Sequence, residues 1–404
     1  MRDFHTEKIF PSVPFSSFKL SSARVLLFKI FSCFGYCNFT GNYPKRLFRC
    51  SSFSSMEMGI SPSNDNSKDQ DKVILQQAWR LFSQYDLNAG LQQSLYRKMQ
   101  FYILLLGVIV TILVLSESYF DKNIWFASLK PWLKNLIIII PIAISTLVAI
   151  STFFRFGNKW VNLRTAAETL KSEIYQFRTT VGKYSPKPIS DNQPITKPED
   201  VLFNQIQTIS NQLMGTEVAL SSLRKYEGKI PPNMFGADKS QDDGYSTLTS
   251  DNYVNARLEP QISYYQKRTK KMYRNLIVLQ ILILIGGGVG TFIAAVGLEL
   301  WVALTATFVS VFTIYLQYNQ IENTLIKYNQ SLNGLNNIQV WWASLTDNER
   351  LDIKNRDKLV NATEQILLTE HQVWVQNMKQ AVSKIHKIEE EKTSHKIEEK
   401  TSTK

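Results

Sequence analysis

Cysteine and histidine are nearly missing from the central part of this chain. Its 404 residues include 3 cysteines and 4 histidines. All the cysteines (Cys33, Cys37 and Cys50) lie in the first 56 residues, and only His371 lies outside the leader and the tail. This excludes a disulfide framework, a thiolate zinc site and a cysteine nucleophile from the central part. A hydrolase or redox enzyme would lack its usual side chains. We therefore expect a protein that is not an enzyme and needs no cofactor.

Charged residues are absent from four long hydrophobic runs, at 99–115, 136–154, 276–296 and 301–316. The third run, Leu276 to Val296, would extend about 31 Å as a helix, which is the thickness of a bilayer's hydrocarbon core. The runs predict four membrane spans, paired as two hairpins. Ion-coupled transporters and proton relays usually need an ionisable group inside a span, so this absence argues against a pump.

The first 56 residues form a basic leader rich in Phe and Ser, without helical periodicity. Ile30 to Cys33 resembles a lipoprotein cleavage box, and the composition is also that of a transit peptide. We favour a third interpretation, in which translation starts at Met56 or Met58 and the leader is an upstream extension or disordered. The formal net charge of +12 suits anionic lipid better than nucleic acid, for which no binding motif is present.

The residues after the leader repeat one plan twice: a helix that enters a hairpin, the hairpin, and a helix that leaves it. We predict a polar linker at 57–71, a degenerate first repeat at 72–235, a linker at 236–252, a second repeat at 253–382 and a charged, disordered or frayed tail at 383–404. Helices are expected at 155–184, 199–226 and 317–345. The last has apolar residues three or four positions apart, close to a coiled-coil seam: Ile321, Leu325, Tyr328, Leu332, Leu335, Ile338 and Trp342. The expected fold is an all-α membrane protein with two pseudo-repeated transmembrane hairpins and long cytoplasmic helices forming a coiled-coil-like bundle.

Basic residues flank the spans mainly on one side. Arg97 and Lys98 precede the first span, and a denser run precedes the third: Lys267, Arg268, Lys270, Lys271 and Arg274. The positive-inside rule places both termini in the cytoplasm. The dense run is either this topology signal alone or a site for anionic lipid headgroups.

Several segments resemble a known family. They are ARLEPQISYY at 256–265, the glycine-rich third span, WVALTATFVSVFTIYLQ at 301–317, YNQSLNGLNNIQVWWASL at 328–345 and LVNATEQILLTEHQVWVQNM at 359–378. Together they resemble a bacterial family of unknown function in the SLATT superfamily, two-transmembrane domains associated with SMODS and SLOG nucleotide-signalling proteins. A degenerate copy covers Lys72 to Tyr226. Unlike better-known members, this chain has two hairpins and no recognisable fused sensor domain.

The resemblance implies a membrane effector, pore-forming and homo-oligomeric, that acts in bacterial stress or conflict at the plasma membrane. A cytoplasmic protein partner or a nucleotide-linked sensor would control it. By position, the resemblance points to a set of residues in the extramembrane helices: Arg257, Pro260, Gln261, Tyr264, Tyr265, Trp341, Trp342, Glu364, Glu370 and Trp374.

Each candidate site has a plainer structural interpretation beside the functional one. Gly286, Gly290 and Ala294 form a small-residue face that suits either packing inside the monomer or contact between subunits. Five hydroxyls of the second hairpin either line a pore or bond to their own helix: Thr291, Thr305, Thr307, Ser310 and Thr313. The tryptophans are packing anchors or a partner surface. Glu364 and Glu370 are expected to pair with basic residues such as Arg257, Lys267 or Arg268, because their spacing does not suit a metal site.

The function expected from these features is a pore or channel made by oligomerised hairpins, with a regulatory helical stalk. The alternative is a membrane-anchored scaffold that conducts nothing and binds partners through its stalk.

Overall fold

The computed structural model describes residues 66–120, 130–185, 197–232 and 242–402, and every regular element in these ranges is helical. The all-α expectation is therefore confirmed for the described residues, whereas the predictions for the leader lie outside them. The helices are α1 Asn66–Phe120, α2 Lys130–Phe154, α3 Phe156–Thr179, α4 Pro198–Met214, α5 Ser250–Tyr253, α6 Glu259–Ala295, α7 Glu299–Tyr318, α8 Ile321–Ser344, α9 Asp347–Leu351 and α10 Ile353–Ser402. A π-helical turn, Val254–Leu258, joins α5 to α6.

Four helical segments are long and apolar enough to cross a membrane, and they contain the four predicted runs except Val296, the last residue of the third. Only 0% to 11% of their most apolar windows is buried within the protein. Phe153, for example, is 81% exposed and Leu284 is 76% exposed. Side chains of this kind cannot face water on this scale, so lipid must cover them. The chain is a multi-pass membrane protein.

The two helices that enter the hairpins run without a break from the extramembrane region into the span. At about 1.5 Å per residue, the 55 residues of α1 extend about 80 Å and the 37 residues of α6 about 55 Å. Pro260 lies in the first turn of α6, directly after the π-helical turn Val254–Leu258, and α6 continues past it to Ala295.

The two helices that leave the hairpins are broken at corresponding places. Arg155 separates α2 from α3 and Gln320 separates α7 from α8, and both adopt left-handed backbone conformations, with φ of 50° and 48°. The predicted helix at 317–345 therefore begins at Ile321 instead. The helix predicted at 199–226 is also shorter: α4 ends at Met214, where the Gly215 N–H donates to the Asn211 carbonyl, and a 3₁₀ turn follows at Glu217–Leu220.

The burial pattern relates the two exit helices to each other. Six positions are buried in both helices when each is numbered from its left-handed residue, which is Arg155 before α3 and Gln320 before α8. They lie 4, 5, 8, 11, 15 and 22 residues after it. In α8 these include Leu325, Tyr328, Leu335 and Trp342 of the predicted seam.

The extramembrane bundle consists of residues 72–98, α3, α4, residues 250–275, α8 and residues 353–380. Helix α3 packs against α1, α4 and α10, whereas α8 packs against α6 and α10. Within the membrane, α1 packs against α2 and α6 against α7, and the two hairpins meet where α1 contacts α7. Helix α10 thus joins both repeats, and it continues helically to Ser402, through most of the segment expected as a disordered or frayed tail.

Candidate functional site: buried polar groups between the repeats

A buried ion pair links the start of the second repeat to α10. Arg257 donates to Glu364 through Nε and Nη2, both at 2.8 Å, and the two residues are only 3% and 1% exposed. Arg257 is one of the partners that the sequence analysis names for Glu364. The bidentate geometry satisfies both groups in a place where water does not reach them.

Two tyrosines complete this ion pair, one from each repeat. The hydroxyl of Tyr253 donates to Glu364 Oε1 at 2.9 Å, and the ring of Tyr175, on α3, lies 4.7 Å from the Arg257 guanidinium carbon. Burial, followed by the negative charge of Glu364, raises the pKa of Tyr253 well above its ordinary value, so this phenol stays a donor. The contact of Tyr175 with Arg257 is a cation–π interaction that joins the repeats.

A second group of polar residues lies farther along the same helices, and we call it the polar layer: Arg164, Glu168 and Lys171 of α3, Tyr265 of α6, and Glu370 and His371 of α10. Arg164 forms ion pairs with Glu168, at 2.6 Å, and with Asp86 of α1. The Tyr265 hydroxyl donates to Glu370 Oε2 at 3.2 Å. The ring of Tyr265 packs edge-on against Tyr328 of α8, at 5.2 Å between centroids. All five long helices of the bundle therefore contribute to this region.

Burial shifts the protonation equilibria of the polar layer in different directions. It raises the pKa of Glu370 to about 7, with the charge of Glu168 adding to the effect. It lowers the pKa of His371 to about 4 and that of Lys171 to about 8. Burial alone would raise the pKa of Glu168. The positive charges of Arg164 and Lys171 have the larger effect, and they lower this pKa to about 2. Within the described residues, His371 Nε2 has no hydrogen-bond partner.

The tryptophans expected from the sequence lie at packing contacts. Trp374 of α10 packs edge-on against Trp160 of α3, at 5.3 Å between ring centroids, and also stacks on His371. Trp342 is buried and donates to Asp251 Oδ1 at 3.3 Å, whereas Trp341 lies under the Lys358 ammonium at 4.4 Å. Trp374 thus packs between the repeats, and the other two face the start and end of the second repeat.

The small-residue face of α6 packs inside the hairpin. A Cβ atom added at Gly286 would lie 2.8 Å from Val309 Cγ2, and one at Gly290 would lie 2.7 Å from Thr305 Oγ1. Both contacts are with α7 of the same chain, whereas Ala294 is exposed. Gly287 and Gly288 point elsewhere, with no atom within 4 Å of an added Cβ.

The hydroxyls considered as pore lining mostly bond to their own helices. Thr291, Thr305, Thr307 and Thr313 donate to backbone carbonyls three or four residues earlier, at 2.8 to 3.0 Å. Thr307 also contacts Thr111 of α1, with 3.3 Å between the hydroxyl oxygens. Ser310 is exposed on α7. The hydroxyls therefore do not converge on a polar lumen within the described part of one chain.

The remaining family positions and the basic run lie on α6 and its first turn. Gln261 is buried and Tyr264 is half-buried, with the Arg268 guanidinium carbon 5.6 Å from its ring centroid. Lys267, Lys270 and Arg274 are exposed, and Lys271 is half-buried.

Comparison with protein families matches each repeat to a family model. Residues 253–374 match SLATT_1, the SMODS and SLOG-associating 2TM effector domain 1. The second repeat is therefore similar to this two-transmembrane domain. Residues 80–191 match a protein family of unknown function, DUF4231. The expected resemblance is confirmed, and the two matches are consistent with two copies of a SLATT-like unit. No curated protein and no solved structure matches the chain.

The matched segment includes Arg257, Tyr265, Glu364, Glu370 and Trp374 and contains a two-span hairpin. The family is described as a membrane effector domain, and this chain shares its hairpin within a multi-pass membrane protein. The first repeat contacts the matched segment through α3 in the bundle and through α1 in the membrane.

Sequence reasoning missed the contributions of α3 to the site. Arg164, Glu168 and Lys171 occupy one face of α3, at offsets of three and four, together with Leu163 and Leu170. Charged residues that share a helical face with buried apolar residues are a signal for a buried polar network. That signal was available but does not indicate which partners the charges have.

Proposed function

We propose that this protein is a membrane effector that forms a pore by association of several copies through their transmembrane hairpins. In this proposal the extramembrane bundle lies on the cytoplasmic side of a bacterial plasma membrane and holds the pore closed until a stress signal acts on it. The output is a loss of ion balance across the membrane. The proposal includes no catalytic step.

One observation carries the regulated part of the proposal: α1 and α6 are continuous from the bundle into the bilayer. The Arg257–Glu364 pair and the Glu370–Tyr265 hydrogen bond fix the extramembrane part of α6 to α10. Since an unbroken helix moves as a rigid element, a rearrangement at these contacts moves the span of α6 as well. The bundle and the membrane are therefore mechanically coupled.

The arrangement of the spans supports assembly from several copies. A single chain offers four spans, and the threonine hydroxyls of the second hairpin donate to their own helices. A lumen would have to form between subunits. The outward side of α6 at Gly287, Gly288 and Thr291 is open, and small residues allow a close helix approach.

The test is electrical recording from the purified full-length chain in planar bilayers. Discrete, reproducible current steps are expected from the wild type, and Gly288→Leu should abolish them by filling the outward side of α6. Gly107→Leu is the matched control, because Gly107 also has no atom within 4 Å of an added Cβ but lies on α1. Gly290→Leu would disturb the hairpin itself and is not informative about assembly.

A non-conducting scaffold is the second candidate function, favoured by apolar side chains that the bundle leaves uncovered. Phe203, Leu220, Val340 and Leu351 are all exposed on the extramembrane surface, and such residues are available to a protein partner. Bilayers that stay silent although oligomers are present would favour this function over the pore.

A further inference from the structure

A basic stripe runs along one face of α6 directly before its span. Lys267, Lys270, Lys271 and Arg274 recur at offsets of three, four and seven, which places them on the same side of a helix. The opposite side of α6 carries the buried residues Tyr265, Thr269, Met272 and Leu276. Three members of the stripe, Lys267, Lys270 and Arg274, are exposed. The stripe is therefore an outward positive surface.

Three residues of the stripe, Lys267, Lys270 and Arg274, have no acidic partner among the described residues. From Pro260 to Leu298 the sequence contains no Asp or Glu. Within the described residues, no carboxylate lies within the 4.0 Å ion-pair distance of Lys267, Lys270 or Arg274. Solvated helix faces usually combine both signs of charge at offsets of three and four. Lys267, Lys270 and Arg274 instead have no counter-charge at ion-pair distance within the described residues.

The stripe begins at the level of the lipid headgroups and continues into the adjoining aqueous layer. Along α6, Arg274 is about 3 Å, Lys270 about 9 Å and Lys267 about 14 Å from Leu276, where the apolar run begins. The headgroup region extends about 5 to 8 Å beyond the hydrocarbon core on each side, and long basic side chains reach toward it. Exposed Tyr273, next to Arg274, occupies the position of an interfacial aromatic residue.

Topology alone does not require this arrangement. The helix that enters the first hairpin, α1, comes from the same bundle and has only Arg97 and Lys98 before its apolar run. The positive-inside rule depends on the number of basic residues and not on the helix face they occupy. An alignment on one outward face is what contact with a charged surface needs.

We propose that the basic stripe binds the phosphate-bearing headgroups of anionic phospholipids in the leaflet that faces the bundle. The bound lipids fix the depth at which α6 enters the bilayer, and hence the position of the bundle relative to the membrane. The inference does not depend on pore formation.

The test compares lipid binding by the full-length protein with that of Lys267→Gln/Lys270→Gln/Arg274→Gln, in detergent, by native mass spectrometry. The ligands are phosphatidylglycerol and phosphatidylcholine. Removing three charges near an anionic surface, each worth about fivefold in affinity, should weaken phosphatidylglycerol binding about 100-fold. Phosphatidylcholine binding should not change, which also shows that the variant is folded.

The matched control is Lys225→Gln/Lys229→Gln/Lys354→Gln, which removes the same charge from exposed positions outside the spans and should bind phosphatidylglycerol as the wild type does. Equal losses in both triple variants would overturn the proposal.

Displacement of the lipid by inorganic phosphate would show that the stripe takes a soluble anion instead. If the stripe variant does not fold, a salt titration of the wild type decides, since salt-independent phosphatidylglycerol binding would contradict the proposal. Conductance in pure phosphatidylcholine bilayers tests the pore separately.

Discussion

At the residue scale, Glu370 and His371 are sequence neighbours whose protonation affects stability in opposite directions. The pKa of Glu370 rises from 4.5 to about 7, so the folded state keeps a proton that the unfolded state loses, and stability falls as the pH rises through this range. The pKa of His371 falls from 6.5 to about 4, so stability falls as the pH drops through that range. Between pH 4.5 and 6.5 the two effects oppose each other.

Single substitutions should separate these effects. On acidification from pH 6.5 to 4.5, Glu370→Gln should lose about 2 kcal/mol of stability through His371, whereas His371→Gln should gain about 2 kcal/mol through Glu370. The measurement is thermal unfolding in detergent, followed by circular dichroism. The double variant Glu370→Gln/His371→Gln gives the pH dependence of stability that all other groups contribute, and this serves as the baseline. Slopes of the same sign in the two single variants would contradict the assignment.

The Arg257–Glu364 pair predicts strong non-additivity. Glu364→Leu leaves the Arg257 guanidinium buried without its partner and should cost about 3 to 5 kcal/mol. Arg257→Leu leaves the carboxylate and should cost a similar amount. The double variant removes both charges and should be more stable than either single variant, as determined by denaturant unfolding. If its cost equals the sum of the single costs, the pair is not the interaction that matters.

At the element scale, the left-handed residues that end α2 and α7 are the sharpest feature of the exit helices. A left-handed conformation costs a residue with a Cβ atom about 1 to 2 kcal/mol, a cost that glycine avoids. Gln320 also hydrogen-bonds Gln317 and Asn323 through its side chain. Gln320→Gly and Gln320→Ala both lose these hydrogen bonds, so the loss cancels when the stabilities of the two variants are compared.

Gln320→Gly should therefore be more stable than Gln320→Ala by about 1 kcal/mol. At exposed Gln330, inside α8, the order should reverse, because glycine in a helix interior costs about 1 kcal/mol relative to alanine. Unfolding free energies in detergent provide the comparison. The same preference at both positions would show that Gln320 is not held in the left-handed region.

At the scale of the whole molecule, the two repeats share one core. Trp160 of the first repeat packs on Trp374 of the second, and Tyr175 of α3 packs on Arg257. We expect the extramembrane bundle to unfold in a single transition. A double-mutant cycle with Trp160→Ala and Trp374→Ala should give a coupling of about 0.5 to 1.5 kcal/mol. Two separate transitions, or a coupling of zero, would mean that the repeats fold independently.

The sequence by itself determined the spans, the helical class and the duplicated plan of this protein. An uncharged apolar run of about 20 residues must be a helix in lipid, because only a helix satisfies its backbone hydrogen bonds within one segment. The motifs from ARLEP to VWVQNM likewise sufficed to predict the family resemblance, because the order of segments around a hairpin can be read directly from the sequence.

Only the tertiary structure decided which groups meet. Periodicity places Glu364 and Arg164 on helical faces but does not say which helix covers each face, so the Arg257–Glu364 pair and the polar layer depend on how α3 and α10 pack. The same limit applies to Gly286 and Gly290. Their spacing allows close packing against any helix, and only the fold shows that this helix is α7. The breaks at Arg155 and Gln320 were also missed, because neither residue type prefers the left-handed conformation that it adopts here.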